Sequence, residues 1–196
     1  SHALVSACER VGARLIYFDN VYLYGPPPLP VPFAEDTPCN PPSRKGAARK
    51  AAVQIVMQAH QEGRVPVTIG RAANFYGPGA IHSPFYINFL EHMLKGKSPE
   101  VIMPEGPVHT YAYTGDMGRG LVELGLDEGA YGQTFHLPVG PPVTVSQMAA
   151  LFNAALGTDL KVKHLPNAIV KFVSLFNPLV REVREMNYQF KSDYIL

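Results

Sequence analysis

An α/β fold built on parallel strands follows from three features of the sequence. Short runs rich in β-branched and aromatic residues alternate with helix-periodic segments along the chain. The strand-like runs are of the buried type, as expected when helices cover both faces of a sheet. The 19 prolines and 17 glycines among 196 residues fall largely between these segments, which implies many short elements joined by defined turns.

Taken in order, Ser6 to Gly12 reads as the end of a helix with Gly12 as its stop. Arg14 to Phe18 is a short strand, followed by Asp19-Asn20 and a break at Tyr22-Leu-Tyr-Gly-Pro-Pro-Pro28. Residues 26–42 hold eight prolines and predict a long exposed loop, a kind of segment that often carries function. From Ser43 to about Glu62 the pattern is helical, with Ala48, Ala52, Ile55, Val56 and Ala59 on one face. Val65 to Ile69 is a second strand. A helix over about Pro84 to Lys95 carries Phe85, Phe89, Leu90 and Met93 as its apolar stripe. Strands near Val101–Met103 and Thr110–Tyr113 precede a helix from Asp116 to about Leu126, and Gln133–Pro138 is a third buried strand. Thr144-Val-Ser-Gln147 is a capping box that opens a helix to Leu156, stopped by Gly157. Leu160–His164 is a strand and Asn167 to about Met186 one final helix.

Composition narrows the function classes. Hydrophobic residues make up 46% and charged residues 17%, with a net charge of +1, so a packed core is expected and a disordered chain is excluded. Near-neutral charge argues against nucleic acid or an anionic membrane as partner, and no apolar run approaches a membrane span. Cys8 and Cys39 alone make no disulfide framework, which makes the cytoplasm the default expectation. The seven histidines show no metal-binding spacing, and no GxSxG or CxxC motif offers a nucleophile. The glycine cluster Gly115-Asp-Met-Gly-Arg-Gly120 has two readings, a phosphate-binding turn or close helix packing, and its GxxGxG spacing favours packing.

Three stretches carry chemistry together. They are Ile16-Tyr-Phe-Asp-Asn-Val-Tyr-Leu-Tyr-Gly25, Glu35-Asp-Thr-Pro-Cys-Asn-Pro-Pro-Ser-Arg-Lys-Gly-Ala-Ala-Arg49 and Arg71-Ala-Ala-Asn-Phe-Tyr-Gly-Pro-Gly79. In this order and spacing the chain resembles the extended short-chain dehydrogenase/reductase family, the NAD(P)-dependent epimerases and dehydratases of nucleotide sugars. The resemblance implies a partial, Rossmann-like, doubly wound parallel sheet over residues 1–100. Residues 101–196 would then be mostly a small α/β substrate-capping lobe, with some elements returning to the sheet. The family's dinucleotide-binding GxxGxxG turn is not in the sequence, so the expectation is the carboxyl-proximal part of a longer protein, inactive by itself.

The resemblance also assigns residues. The family's catalytic tyrosine and lysine, four residues apart on one helix face, fall on Lys45 and Arg49, and its hydroxyl-bearing Ser/Thr falls on Asn20. None of the three residue types is kept. Chemistry survives if Lys45, beside an arginine, transfers the proton, Asn20 bonds a substrate oxygen and Arg49 contacts the cofactor ribose or phosphate. Lys45 and Arg49, with Ala72 and Ala73 beside the nicotinamide ring, would bind NAD or NADP. Asn74, His109 and Tyr22 would face a sugar-like or other small carbonyl or hydroxyl substrate, with His109 standing where the family often has a diphosphate-binding arginine. The alternative is a non-catalytic dinucleotide-sensing or regulatory protein of the same fold. Helices 43–62 and 84–95 match those through which the family commonly forms homodimers.

Overall fold

The computed structural model describes residues 1–26, 28–83 and 85–196. Its centre is a three-stranded parallel sheet of β1 (Leu15–Asn20), β2 (Val67–Ala72) and β6 (Thr134–His136), in the order β1-β2-β6. β1 and β2 are each followed by a crossover to a parallel strand, so all three carboxyl ends lie on one edge.

Helices cover both faces. On one side, α1 (His2–Val11) and α2 (Arg44–Gln61) pack Val5, Val56 and Ala59 against Leu15, Val67 and Ile69. On the other, α4 (Thr114–Leu126) sets Met117, Leu121 and Leu124 on Ala72 and Leu137. The doubly wound arrangement follows from these two apolar layers. As expected, α1 stops at left-handed Gly12, and α2 is capped by Ser43, whose Oγ accepts from the Gly46 N–H at 3.0 Å.

Two smaller parallel pairs sit beyond the main sheet, β3 (Asn74–Tyr76) with β5 (Tyr111–Tyr113) and β4 (Glu100–Val101) with β7 (Lys163–His164). Helix α5 (Val145–Leu156), opened by the expected Thr144–Gln147 capping box, packs Val145, Met148 and Ala149 against Phe89, Met93 and Tyr111. The proline-rich loop forms no helix or strand among its described residues. It is tied down by Phe33, buried with Val21, Tyr24 and Tyr194, and by the Lys50 ammonium, which donates to the Cys39 carbonyl. The C-terminal residues return to the sheet edge here, with the Phe33 N–H donating to the Ile195 carbonyl.

The elements differ from the sequence expectation at several places, and β4 and β7 are two residues each where strands near 101–103 and 160–164 were expected. β1 runs on through Asp19 and Asn20, because Asp19 finds a buried partner on β2. β2 starts at Val67, since Pro66 has no N–H to give a ladder. The segment read as one helix from Pro84 begins with a π-helical turn, Tyr86–Leu90, before α3 (Glu91–Leu94). Pro84 itself lies outside the described residues. The final helix is two, α6 (Asn167–Phe176) and α7 (Pro178–Glu185), because the residue before a proline is driven out of helical geometry; Asn177 is extended at φ −117°.

Candidate active site at the carboxyl ends of the parallel strands

β1 and β2 each carry one charged residue, and strand register sets Asp19 opposite Arg71. Both are buried, and Asp19 Oδ2 accepts from Arg71 Nε at 3.1 Å. Arg71 Nη1 also donates to the Tyr24 hydroxyl at 2.5 Å, and that hydroxyl lies 2.7 Å from His136 Nε2 on β6. The His136 backbone N–H donates to Glu35 Oε1 at 2.7 Å. One hydrogen-bonded chain therefore joins the ends of all three strands to the proline-rich loop.

Burial dominates the electrostatics. It pushes the Asp19 carboxyl up, with the Asn20 backbone N–H and Arg71 acting in the opposite direction. Asp19 Oδ1 has no hydrogen-bond partner among the described residues. Burial also raises the Tyr24 hydroxyl to about 12 against the pull of Arg71, so it remains a neutral donor. His136 is pushed down by burial, with Glu35 opposing. For Glu35 burial acts upward, but the His136 N–H and the charges of His136 and Arg71 hold it below the usual range.

Asn20 ends β1, and its Oδ1 accepts from the Tyr22 N–H at 3.0 Å, forming the turn that leads the chain away from the sheet. Tyr22 is half-buried and its carbonyl lies against the first turn of α2. A Cβ on Gly46 would stand 2.3 Å from that oxygen, so glycine is what lets α2 start beside Asn20. Lys45 and Arg49 occupy the first two turns of this helix and are exposed. The Lys45 ammonium is 2.6 Å from Glu182 of α7. The Arg49 guanidinium makes no hydrogen bond or ion pair among the described residues, although its charge reaches Asp19.

The remaining expected residues are placed less openly. Ala72 and Ala73 are buried at the end of β2, and Asn74, half-buried, opens β3 opposite Tyr111. His109 is 2% exposed and is enclosed by the rings of Tyr111, Phe190 and Tyr194, with neither ring nitrogen partnered among the described residues. Burial pushes it down to about 4, with Asp193 opposing. The turn that follows Asn20 thus lies against the first turn of α2, and His109 stacks on Tyr194, whose hydroxyl donates to the Val21 carbonyl at 3.1 Å. Within the glycine cluster, Gly120 packs closely, since a Cβ there would meet Leu137 and Pro138 at 3.2 Å, whereas Gly118 faces open space. No group of three or more histidine, cysteine or acidic side chains that could hold a metal occurs among the described residues. No helix among them is long and apolar enough to cross a membrane.

The Asp19–Arg71–Tyr24–His136–Glu35 chain was not among the residues expected from the motifs. Its signal lies in the strands themselves: a lone Asp in Leu15-Ile-Tyr-Phe-Asp-Asn20 and a lone Arg in Val67-Thr-Ile-Gly-Arg-Ala72. A charge inside a buried strand needs a partner, and two such strands paired in parallel can supply it.

Comparison with known proteins agrees with this architecture. The model of the NAD dependent epimerase/dehydratase family matches residues 1–135. UDP-glucuronic acid decarboxylase 6 of Arabidopsis thaliana is 26% identical over 177 residues, covering 84% of this chain and 49% of that protein. Among solved structures, UDP-glucuronic acid 4-epimerase from Bacillus cereus, in complex with NAD, superposes with a TM-score of 0.71 at 19% identity over 83% of this chain and 53% of that one. Epimerase Mth375 from Methanothermobacter thermautotrophicus gives 0.74 at 19% identity over 83% and 50%. At these identities the structures establish the Rossmann-like fold. The chain spans about half the length of the curated relatives it matches. With its family model matched over most of the sequence, the chain belongs to the NAD dependent epimerase/dehydratase family.

Proposed function

We propose that this member of the NAD dependent epimerase/dehydratase family forms the catalytic and substrate-facing side of an atypical NAD(P)-dependent epimerase, dehydratase or reductase. Its substrate would be a sugar-like or other small carbonyl or hydroxyl compound. One observation supports the reading: the turn that follows Asn20 at the carboxyl end of β1 sets the Tyr22 carbonyl against Gly46, in the first turn of the helix that carries Lys45 and Arg49. On this reading the strand end would supply a hydrogen-bonding group and the helix a proton-transfer group to one substrate atom.

The residues fit the nicotinamide end of a dinucleotide. Arg49, exposed and without a hydrogen bond or ion pair among the described residues, would hold the ribose, with Lys45 one turn earlier. Bound there, the dinucleotide supplies a carbon that accepts or returns hydride. Lys45 would hold or move the proton at the substrate oxygen, and Asn20 would orient that oxygen. Ala72 and Ala73 are buried, so they would contribute by keeping the wall behind the ring small. Asn74 and Tyr22 would line the substrate side. Helix α2 and the segment 84–95, which exposes Ile87 and Leu94, would form a homodimer contact.

The test is calorimetric titration of NAD(H) and NADP(H) into the chain and into any longer natural form that carries it. Heat that saturates with either is expected; no heat from any of them overturns the proposal. A second reading, a non-catalytic dinucleotide-sensing protein, is favoured by the ion pair that engages Lys45 with Glu182. Lys45→Met separates the two, since an enzyme loses turnover with dinucleotide binding kept, whereas a sensor has no turnover to lose.

A further inference from the structure

Helix α6 turns its apolar side outward. Val170 and Ser174 are buried, and Ser174 Oγ accepts from Arg184 of α7 at 3.1 Å. At about 100° per residue, the arc opposite this pair is centred on Phe172 and also holds Ile169, Val173, Leu175 and Phe176. All five are exposed, from 38% for Val173 to 76% for Phe176. The rings of Phe172 and Phe176 meet edge to face with centroids 5.5 Å apart. Single exposed apolar residues are ordinary, whereas five on one face of a ten-residue helix mark a contact surface. Charge decides what kind of contact. Residues 160–181, which contain α6, hold Lys161, Lys163, Lys171 and Arg181 and no Asp or Glu. All four cations are exposed, and Lys171 borders the apolar arc beside Leu175. Lys161 pairs with Asp159 at 2.9 Å, both side chains over 80% exposed, a contact that salt or a competing anion readily displaces. The net charge of the whole chain is +1, so the rest of it is net negative, and the near-neutral total conceals one basic, apolar segment.

We propose that α6 is a membrane-surface element, its apolar face entering the headgroup boundary of an anionic bilayer while the four cations meet the lipid phosphates and carboxylates. An apolar helix face flanked by cations, with no acid to repel the lipid, is complementary to such a surface. A second copy of the chain fits worse, because an isologous contact through α6 would set two acid-free basic segments side by side with no carboxylate between them. Ten residues are too few to span a bilayer, so the helix lies on the surface. The proposal is independent of the functional reading above.

The test is sedimentation with vesicles of phosphatidylcholine, alone or with about 30% phosphatidylserine, using the chain and any longer natural form that carries it. Partition into the anionic vesicles is expected, about tenfold or more stronger than into the neutral ones. Phe172→Ser/Phe176→Ser should weaken it by about tenfold, and so should Lys163→Gln/Lys171→Gln. All four side chains are exposed, so the far-UV circular dichroism spectrum should stay unchanged. The chain has no tryptophan, so Phe172→Trp supplies a single reporter whose emission should shift to the blue on the anionic vesicles. Equal partition into both vesicles, partition into neither, or partition that either double variant leaves unaltered overturns the proposal. So does a blue shift that develops with protein concentration in the absence of lipid, which assigns the face to a second copy, and so does binding by the chain that a longer natural form lacks.

Discussion

Asp19 and Arg71 face each other at one register position of adjacent parallel strands and pair at 3.1 Å with both side chains out of water. The pair sits immediately before Asn20 and Ala72, so it fixes the two strand ends from which the candidate site is built. A buried ion pair of this kind adds little net stability over apolar residues, but breaking it exposes the full cost of an unpaired buried charge.

Arg71→Met should therefore destabilise the protein by about 3–5 kcal/mol, since it leaves Asp19 buried without its cation. The double variant Asp19→Leu/Arg71→Met should recover most of that loss. Urea denaturation of the two single variants and the double variant forms a cycle that measures the coupling. A loss below about 1 kcal/mol for Arg71→Met would show that the pair is not formed.

Tyr24→Phe keeps the ring that packs edge-on to Phe33, with centroids 5.0 Å apart, and removes only the hydroxyl. That hydroxyl is shared by Arg71 and His136, so its loss leaves the buried Arg71 and the half-buried His136 short of a partner. The expected cost is about 1–3 kcal/mol, read as a lower denaturant midpoint at unchanged m-value.

The fold was legible because its signals are local. Alternating strand and helix periods, Gly12 and Gly157 as stops and the Thr144–Gln147 box each act within a few residues, and each stands where it was expected. What was not legible depends on long-range pairing. Tyr24 meets His136 and Lys45 meets Glu182 across more than a hundred residues, and no spacing in the sequence announces either contact. The surroundings of His109 show the same limit: Phe190 and Tyr194, aromatic residues from the C-terminal segment, enclose it, and no spacing announces them. The break between α6 and α7 was different, since Asn177-Pro178 was in plain view and the apolar period on either side masked it.

His109 sets a pH dependence. Its folded-state value is pushed down to about 4 by burial, below the 6.5 of a free imidazole. Folding therefore favours the neutral ring, and the unfolded chain binds more protons between these values. The contribution is complete above about pH 6.5 and is lost as pH falls through about 4, an amplitude of about 3 kcal/mol. Urea midpoints measured from pH 7.5 to 4 should fall along this course in the natural protein. His109→Phe, which suits the surrounding rings, should flatten that part of the profile; an unchanged slope would mean that the ring is hydrated.

Two glycine-to-alanine changes should act in opposite directions, and the contrast tests the contact that places α2 beside Asn20. On Gly46 a Cβ would lie 2.3 Å from the Tyr22 carbonyl oxygen and 2.5 Å from Pro41 Cβ. The nearer atom is backbone, so the helix start or the Tyr22 turn has to move. The expected cost is about 1–3 kcal/mol, as for other overpacked sites. Gly118, in the middle of α4, has nothing within 4 Å of its ideal Cβ, so alanine there gains helix propensity at no steric cost. Gly118→Ala should stabilise by about 0.5–1 kcal/mol. Thermal unfolding of both proteins gives the signs directly. Because Gly46→Ala displaces Lys45 and Arg49 together, it should also weaken NAD(H) binding, while Gly118→Ala leaves that binding unchanged. A Gly46→Ala protein as stable as the parent would mean that α2 does not rest on the Tyr22 carbonyl, and the alignment of Asn20 with Lys45 would lose its structural basis.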